Sequence, residues 1–244
     1  MNSTKGLLMR VGIDQTYGKY NAPINPETND YLYIPIPDKN EDKTTYHQIK
    51  PHFNAWVKRN NAVIEFPYHL EQMGGCHLDP DFDYLTYGDQ GENTGRGRRV
   101  ATLNKGDFIA FFASFNPIKK CSHSLVYALY GIMFVDKVMK AKNVSVEDLN
   151  KNAHTRLVDV NGEHLIVYAD PLISGRFDKA IPIGEFRRKS YRMTEEMEKK
   201  WGGIDVYDGY IQRSVNPPWF VEPNTFLTWF KTQNVKLIAS NWGV

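Results

Sequence analysis

KGDFIAFFASFNPIKKCSHSLVYALYGIMFVDKV, residues 105–138, is the stretch whose reading decides the fold. Lys105-Gly106-Asp107 forms a turn into FIAFFASF. Ser124 to Val138 is a second long apolar run rich in β-formers, so the pair reads as two strands. Gly131, inside the second run, predicts a bulge or a close approach by another backbone.

Working outward, Leu7 to Ile13 reads as a buried strand and His164 to Asp170 as another, with a last strand in VKLIA, residues 235–239. Tyr31 to Ile36 alternates aromatic and aliphatic residues between prolines, which predicts a strand near an edge or one leading into an irregular turn. Ile49, Phe53, Trp56 and Val57 have helical spacing within residues 45–59, where Pro51 must sit in the first turn or break the helix. Ser145 to Asp148 loosely fits a capping box for a short helix through Asn150. Thr194 to Trp201 has an acidic first turn, a basic last turn and a Gly202-Gly203 stop. Phe226, Leu227, Trp229 and Phe230 mark an apolar face on a helix from Pro223 to Thr232. The expectation is an α+β fold in one domain, 1–244: a mixed, largely antiparallel curved sheet or partial barrel with flanking helices.

Composition narrows the function classes. With 244 residues, 41% of them hydrophobic, the chain can bury a sizeable core without staples. Cys76 and Cys121 lie far apart without C-x-x-C spacing, which predicts reduced thiols in a cytoplasmic protein. No apolar run reaches the ~18 residues of a membrane span, and the N-terminus lacks a long apolar leader. A net charge of +2 gives no whole-surface case for nucleic acid, although local patches could bind phosphate. The 13% aromatic content, with 14 Tyr and 5 Trp, would serve a base-stacking pocket or an aromatic β core equally well.

The densest functional stretch is HLDPDFDYLTYGDQGENTGRGRR, His77 to Arg99. His77, Asp79, Asp81 and Asp83 alternate, which in an extended segment would put all four on one side. Phe82, Tyr84, Leu85 and Tyr87 add apolar and stacking surface, and Asp89 precedes a reversal of charge at Arg96, Arg98 and Arg99. Its alternative is a solvated surface loop. Asp14 closes the first strand at a common catalytic address, with Gln15, Tyr17 and Asn21 beside it, though an Asx-turn or N-cap would use the same Asp. Arg176, on a Ser-Gly-Arg turn, could grip a phosphate or simply be exposed. In DVYDGYIQRS, alternation puts Asp208, Tyr210 and Gln212 on one face, with Arg213 next to them. His47, His52 and His69 show no ligand spacing.

No P-loop, no G-x-G-x-x-G and no G-x-S-x-G occurs, and neither cysteine sits in a nucleophile motif. A hard cation could be drawn to His77, Asp79 and Asp81, but Pro80 kinks that run, and the expectation is no metal and no cofactor. What remains is carboxylate chemistry. Asp14, Asp79, Asp81 and Asp89 are candidates for activating water or stabilising a cationic sugar in glycosidic hydrolysis, with nearby tyrosines and arginines stacking on a base and holding its phosphates.

The tight Gly-Asp turn feeding two aromatic-aliphatic strands resembles the small barrels of the PUA and ASCH type, which bind RNA or modified bases; this bears on fold alone. The longer motifs GIDQTYGKYNAPINPETNDYLYIPIP, HLDPDFDYLTYGDQG with the following RG, KGDFIAFFASF, LVYALYGI, SGRFDKAIPIGE and DGYIQRS resemble the third type of nucleotide-modification-associated domain over nearly the whole chain. That family accompanies base-modifying systems of phages and bacteria, which implies work on modified DNA bases. The positions matching it are Asp14, Asn21, His77, Asp79, Asp81, Tyr87, Asp89, Arg96, Arg176, Gln212 and Arg213. The reading that follows is a glycosylase-like hydrolase whose partner is DNA carrying modified bases, serving in phage defence. Its alternatives are a PUA-like reader, or a transferase installing a modification.

Overall fold

The computed structural model describes residues 3–41, 43–156, 162–213 and 216–243. Its strands are β1 (Gly6–Arg10), β2 (Pro23–Ile24), β3 (Ile36–Pro37), β4 (Cys76–His77), β5 (Thr86–Asp89), β6 (Phe108–Pro117), β7 (Val126–Lys140), β8 (Leu165–Ala169), β9 (Gly175–Pro182), β10 (Gly184–Arg187), β11 (Ser190–Met193) and β12 (Leu237–Ile238). The α-helices are α1 (Tyr46–Arg59), α2 (Tyr68–Met73), α3 (Gly95–Val100), α4 (Ala153–Arg156), α5 (Glu195–Trp201) and α6 (Pro223–Lys231).

The two runs of residues 105–138 pair antiparallel as β6 and β7, from Phe108 opposite Phe134 to Phe115 opposite Val126. Between Phe111–Gly131 and Phe112–Leu129 the register shifts, so Tyr130 is an extra residue beside Gly131, and the expected bulge is present. Both meanings of that glycine hold: a Cβ on Gly131 would lie 2.6 Å from the Phe82 ring and 3.3 Å from the Gly175 carbonyl. From Ala128 through the bulge to Ile132, β7 lies between β6 and β9; from Val135 onward it pairs with β8, which carries β5 on its outer side. β1 joins β6 in parallel, and the other pairs of this sheet, apart from the short β2–β6 contact, are antiparallel. The fold is α+β with a large, mixed, mostly antiparallel sheet that does not close into a barrel.

Alternation along β1, β6 and β7 divides the apolar side chains between two cores. Met9, Ile109, Phe111 and Tyr130 face one side, under Ile49, Phe53 and Trp56 of α1 and under Phe82 and Tyr87. Leu8, Ala110, Phe112 and Leu129 face the other, under Trp201, Phe220, Phe226 and Trp229 around α5 and α6. With both faces covered, β6 is a continuous apolar run.

Helix ends follow the capping residues. Thr45 and Gln48 make the reciprocal capping box of α1; Thr194 caps α5, and Gly202 closes it in the left-handed region. Pro51 is a departure, since it lies in the second turn of α1 without ending the helix. The buried Ile49, Phe53 and Trp56 hold that helix to the sheet despite the lost bond.

Other expectations are corrected. Tyr31 to Ile36 is not a continuous strand: only a bridge at Tyr31 and the short β3 are paired. Pro35 and Pro37 supply no N–H, and the carbonyls of Tyr33 and Ile34 go to the Trp242 indole and the Ile13 N–H. Arg176 is not on a turn but within β9, where pairing with β7 and β12 overrides the Ser-Gly signal. The segment from Asp205 is not extended through Arg213; Tyr207–Gly209 forms a 3₁₀ turn with Asp208 at φ 53°. Ser214 lies outside the described residues. The start of the short helix expected from Ser145 is a 3₁₀ turn, Val146–Lys151, without a side-chain cap. Among the described residues no helix is long and apolar enough to cross a membrane.

Candidate functional site

The stretch from His77 to Asp89 is folded onto the sheet by one aromatic anchor and one amide clasp. Phe82 is fully buried in the space that Gly131 leaves open, edge-on to Tyr33, Phe111 and Tyr130. Asn241 holds the turn from outside: its Nδ2 donates to Asp81 Oδ1 (2.9 Å) and Asp83 Oδ2 (2.8 Å), while its Oδ1 accepts the Phe82 N–H (2.8 Å). The turn closes with paired backbone bonds between Asp81 and Thr86, and the Asp79–Pro80 peptide is cis. His77, Asp79, Asp81 and Asp83 therefore do not form one extended polar row. Asn241→Ala would leave two neighbouring carboxylates without their shared donor and is expected to cost about 2–3 kcal/mol, measured by urea denaturation.

Asp79 and His77 meet α4. Asp79 is buried; its Oδ1 accepts the Gly88 N–H (2.7 Å) and Asn152 Nδ2 (2.9 Å), and its Oδ2 lies 3.8 Å from His154 Nε2. Burial pushes the Asp79 carboxyl up to about 7, against the lowering effect of His77 and these two donors. Asn152 Oδ1 also accepts the His154 N–H (2.9 Å), so one amide positions both the acid and the imidazole. His154 Nε2 is 3.1 Å from His77 Nε2, and His154 Nδ1 is 2.9 Å from His164 Nδ1. His77 Nδ1 in turn meets Asp38 Oδ2 at 3.0 Å. Burial, then the neighbouring histidines, hold His154 well below the usual imidazole range. Gly88 has no alternative here: a Cβ would come within 2.3 Å of the His154 ring.

Beside this centre Tyr87 donates to Asp89 Oδ2 (2.6 Å), and Arg96, from α3, donates to the Tyr87 hydroxyl (2.7 Å) with Nε 3.3 Å from Asp89. Asp81 faces a different neighbourhood. Its buried Oδ2 has no hydrogen bond among the described residues and lies 3.9 Å from Arg156, whose Nε is held by Glu41 at 2.8 Å. Burial raises the Asp81 carboxyl above its ordinary range. Asp81 and Arg156 border a cavity of about 420 Å³ lined also by His52, Asp83, Tyr84 and Trp242. His52 stacks on Trp242 with ring centres 5.5 Å apart, a flat aromatic surface of the kind on which a base can rest.

Asp14 belongs to a second group. Its Oδ1 accepts the N–H groups of Thr16 and Tyr17 (both 2.8 Å), an Asx-turn, and its Oδ2 pairs with Arg10 at 2.9 Å. Arg10 also reaches Ser114 and the Gln212 carbonyl; Asn21 bonds Ser114, and Gln15 bonds Asn21. Asp14, Asn21 and the Gln212 carbonyl thus meet through Arg10 and Ser114, with Tyr17 exposed beside them. Among the described residues no hydrogen bond or ion pair joins this group to Asp79. Asp208 forms a third group, gripped by Arg187, Arg188 and Arg192, with Tyr210 under the Arg192 guanidinium. The Arg187 hydrogen bond holds its carboxyl below the usual range. Arg98 and Arg213 are exposed. Arg176 is buried, its guanidinium taken up by the carbonyls of Phe177, Ser240 and Gly243.

Sequence reasoning missed Asp38, Asn152, His154, His164 and Asn241. They come from separate segments, and only the closeness of His154 and His164 to a strand and its preceding turn offered any signal.

No curated protein and no solved structure matches the chain. A profile of nucleotide modification associated domain 3 matches residues 5–206, which include the Asp14 group except Gln212 and the whole His77–His154 centre except its Asn241 clasp. The chain belongs to the nucleotide modification associated domain 3 family.

Proposed function

We propose that this protein recognises a modified nucleobase in DNA and hydrolyses its N-glycosidic bond at the centre formed by His77, Asp79 and His154. The observation that carries this reading is Asp79: a buried carboxylate fixed through one oxygen, with the other facing an imidazole across 3.8 Å. Glycosidic hydrolysis needs such a group, to orient water and to offset positive charge on the sugar as the bond opens. Water oxygen adds to the sugar C1′, the C–N electron pair leaves with the base, and the base takes up a proton. The cavity at Trp242, His52 and Tyr84 shares the 77–84 segment with this centre and suits a flipped base. The family membership supports nucleic acid carrying modified bases as the partner; a cytoplasmic, phage-defence setting belongs to the proposal.

The β10–β11 hairpin supports a backbone contact. Arg187, Arg188, Lys189 and Arg192 outnumber the acids they meet, Asp208 and Glu185, and leave it positive. Arg188→Ala is expected to weaken DNA binding without base preference and to reduce the slope of log affinity against log salt by about 0.9. Salt-dependent fluorescence anisotropy measures it.

The test of the reaction is to incubate the protein with DNA carrying hypermodified pyrimidines and assay released base and alkali-labile abasic sites. Release supports hydrolysis. Tight binding without release favours the reader, for which the His52–Trp242 stack is the favouring observation. Release that persists at full rate in Asp79→Asn removes Asp79 from the reaction.

A further inference from the structure

The three groups that converge from β4, the following turn and α4 have more to offer than hydrogen bonding. We propose that His77 Nε2, His154 Nε2 and Asp79 Oδ2 bind one divalent first-row transition metal ion of the zinc or iron(II) class.

Distance is the first argument. Bonds of about 2.0–2.2 Å to nitrogen and oxygen at tetrahedral angles place ligand atoms about 3.3–3.6 Å apart. The two Nε2 atoms are 3.1 Å apart, the carboxylate oxygen is 3.8 Å from the nearer one, and all three lie within 4.8 Å of one another. Small adjustments of side chains already aimed at a common point would close the site.

Orientation is the second. Each ligand is fixed by its other polar atom: His77 Nδ1 by Asp38, His154 Nδ1 by His164, and Asp79 Oδ1 by Gly88 and Asn152. A carboxylate behind a ligating imidazole sets its tautomer so that the Nε2 lone pair points at the metal. Asp79 Oδ2 accepts no hydrogen bond among the described residues. Charge agrees as well, because Asp79 and Asp38 together offset a divalent ion, while the nearby Arg96 is paired with Asp89. The donor set, two imidazoles and one carboxylate, suits zinc or iron(II) better than magnesium or calcium, and leaves a position for water or substrate.

The competing arrangement is a metal-free chain of hydrogen-bonded imidazoles from Asp38 to His164. It needs a proton between the two Nε2 atoms and leaves Asp79 Oδ2 without a role.

This inference deepens the hydrolytic reading, but its test does not pass through it. The full-length protein is stripped with chelator, checked for its fold by far-ultraviolet circular dichroism, and titrated with Co²⁺ followed by visible absorption, and with Zn²⁺ followed by calorimetry. One-to-one uptake is expected. Asp79→Asn and His154→Gln, each nearly isosteric, should abolish it, and Asp38→Asn should weaken it about 10–100-fold. Folded wild-type protein that takes up no metal overturns the proposal, as does uptake unchanged in folded His154→Gln. Metal binding without base release leaves this site standing and removes the glycosidic reading; base release by folded protein that takes up no metal does the reverse.

Discussion

Asp79→Asn is expected to lower the rate of base release by about 10²–10⁴-fold, the range spanned by a positioned acid–base group. Three features make the carboxylate, and not its shape, the important property. The Oδ1 contacts to Gly88 and Asn152 can be kept by a carboxamide oxygen, so the turn and α4 stay in place. The oxygen facing His154 becomes an amide nitrogen, which can neither offset positive charge nor ligate an ion. Burial disfavours the ionised acid, so the neutral variant should melt no lower than the parent. Loss of release together with an unchanged melting curve is the expected pair of results. A variant that unfolds would show instead that Asp79 is structural.

Phe82→Ala is expected to destabilise the fold by about 3–5 kcal/mol, measured by equilibrium denaturation. The ring is fully buried, contacts three aromatic neighbours edge-on, and occupies the volume that Gly131 vacates at the bulge. Neither strand can collapse into that space, because the bulge is fixed by pairing on both sides of β7. The cavity therefore persists, and the turn next to Asp79 loses its aromatic contact with the sheet, keeping only the Asn241 clasp and the β5–β8 pairing. Base release should fall with it. A cost under about 1 kcal/mol would mean that the site can relax around the gap.

The legible parts of the molecule were those written in local pattern. β6, β7, α5 and α6 follow from alternation, helical spacing and end residues, and Gly131 announced its bulge. Tyr31–Ile36 and Arg176 were misplaced because long-range partners, from Trp242 to β12, decide their backbone conformation. The candidate site divides in the same way. His77 and Asp79 stand two apart in a conspicuous stretch, whereas His154 and Asp38 acquire meaning only when α4 and the end of β3 arrive beside them. A ligand set split between residues 77–79 and the distant His154 has no spacing rule, so Asp81, the sequence neighbour, was the natural third candidate in place of His154.

Asn241 clasps Asp81 and Asp83 across 160 and 158 residues of chain. Synthesis on the ribosome therefore produces the acidic turn long before the amide that latches it. During that interval the two carboxylates stand without their shared donor, and only the turn's own backbone bonds hold its shape. The latch closes only once translation has passed Asn241, so this turn is among the last parts of the fold to be fastened.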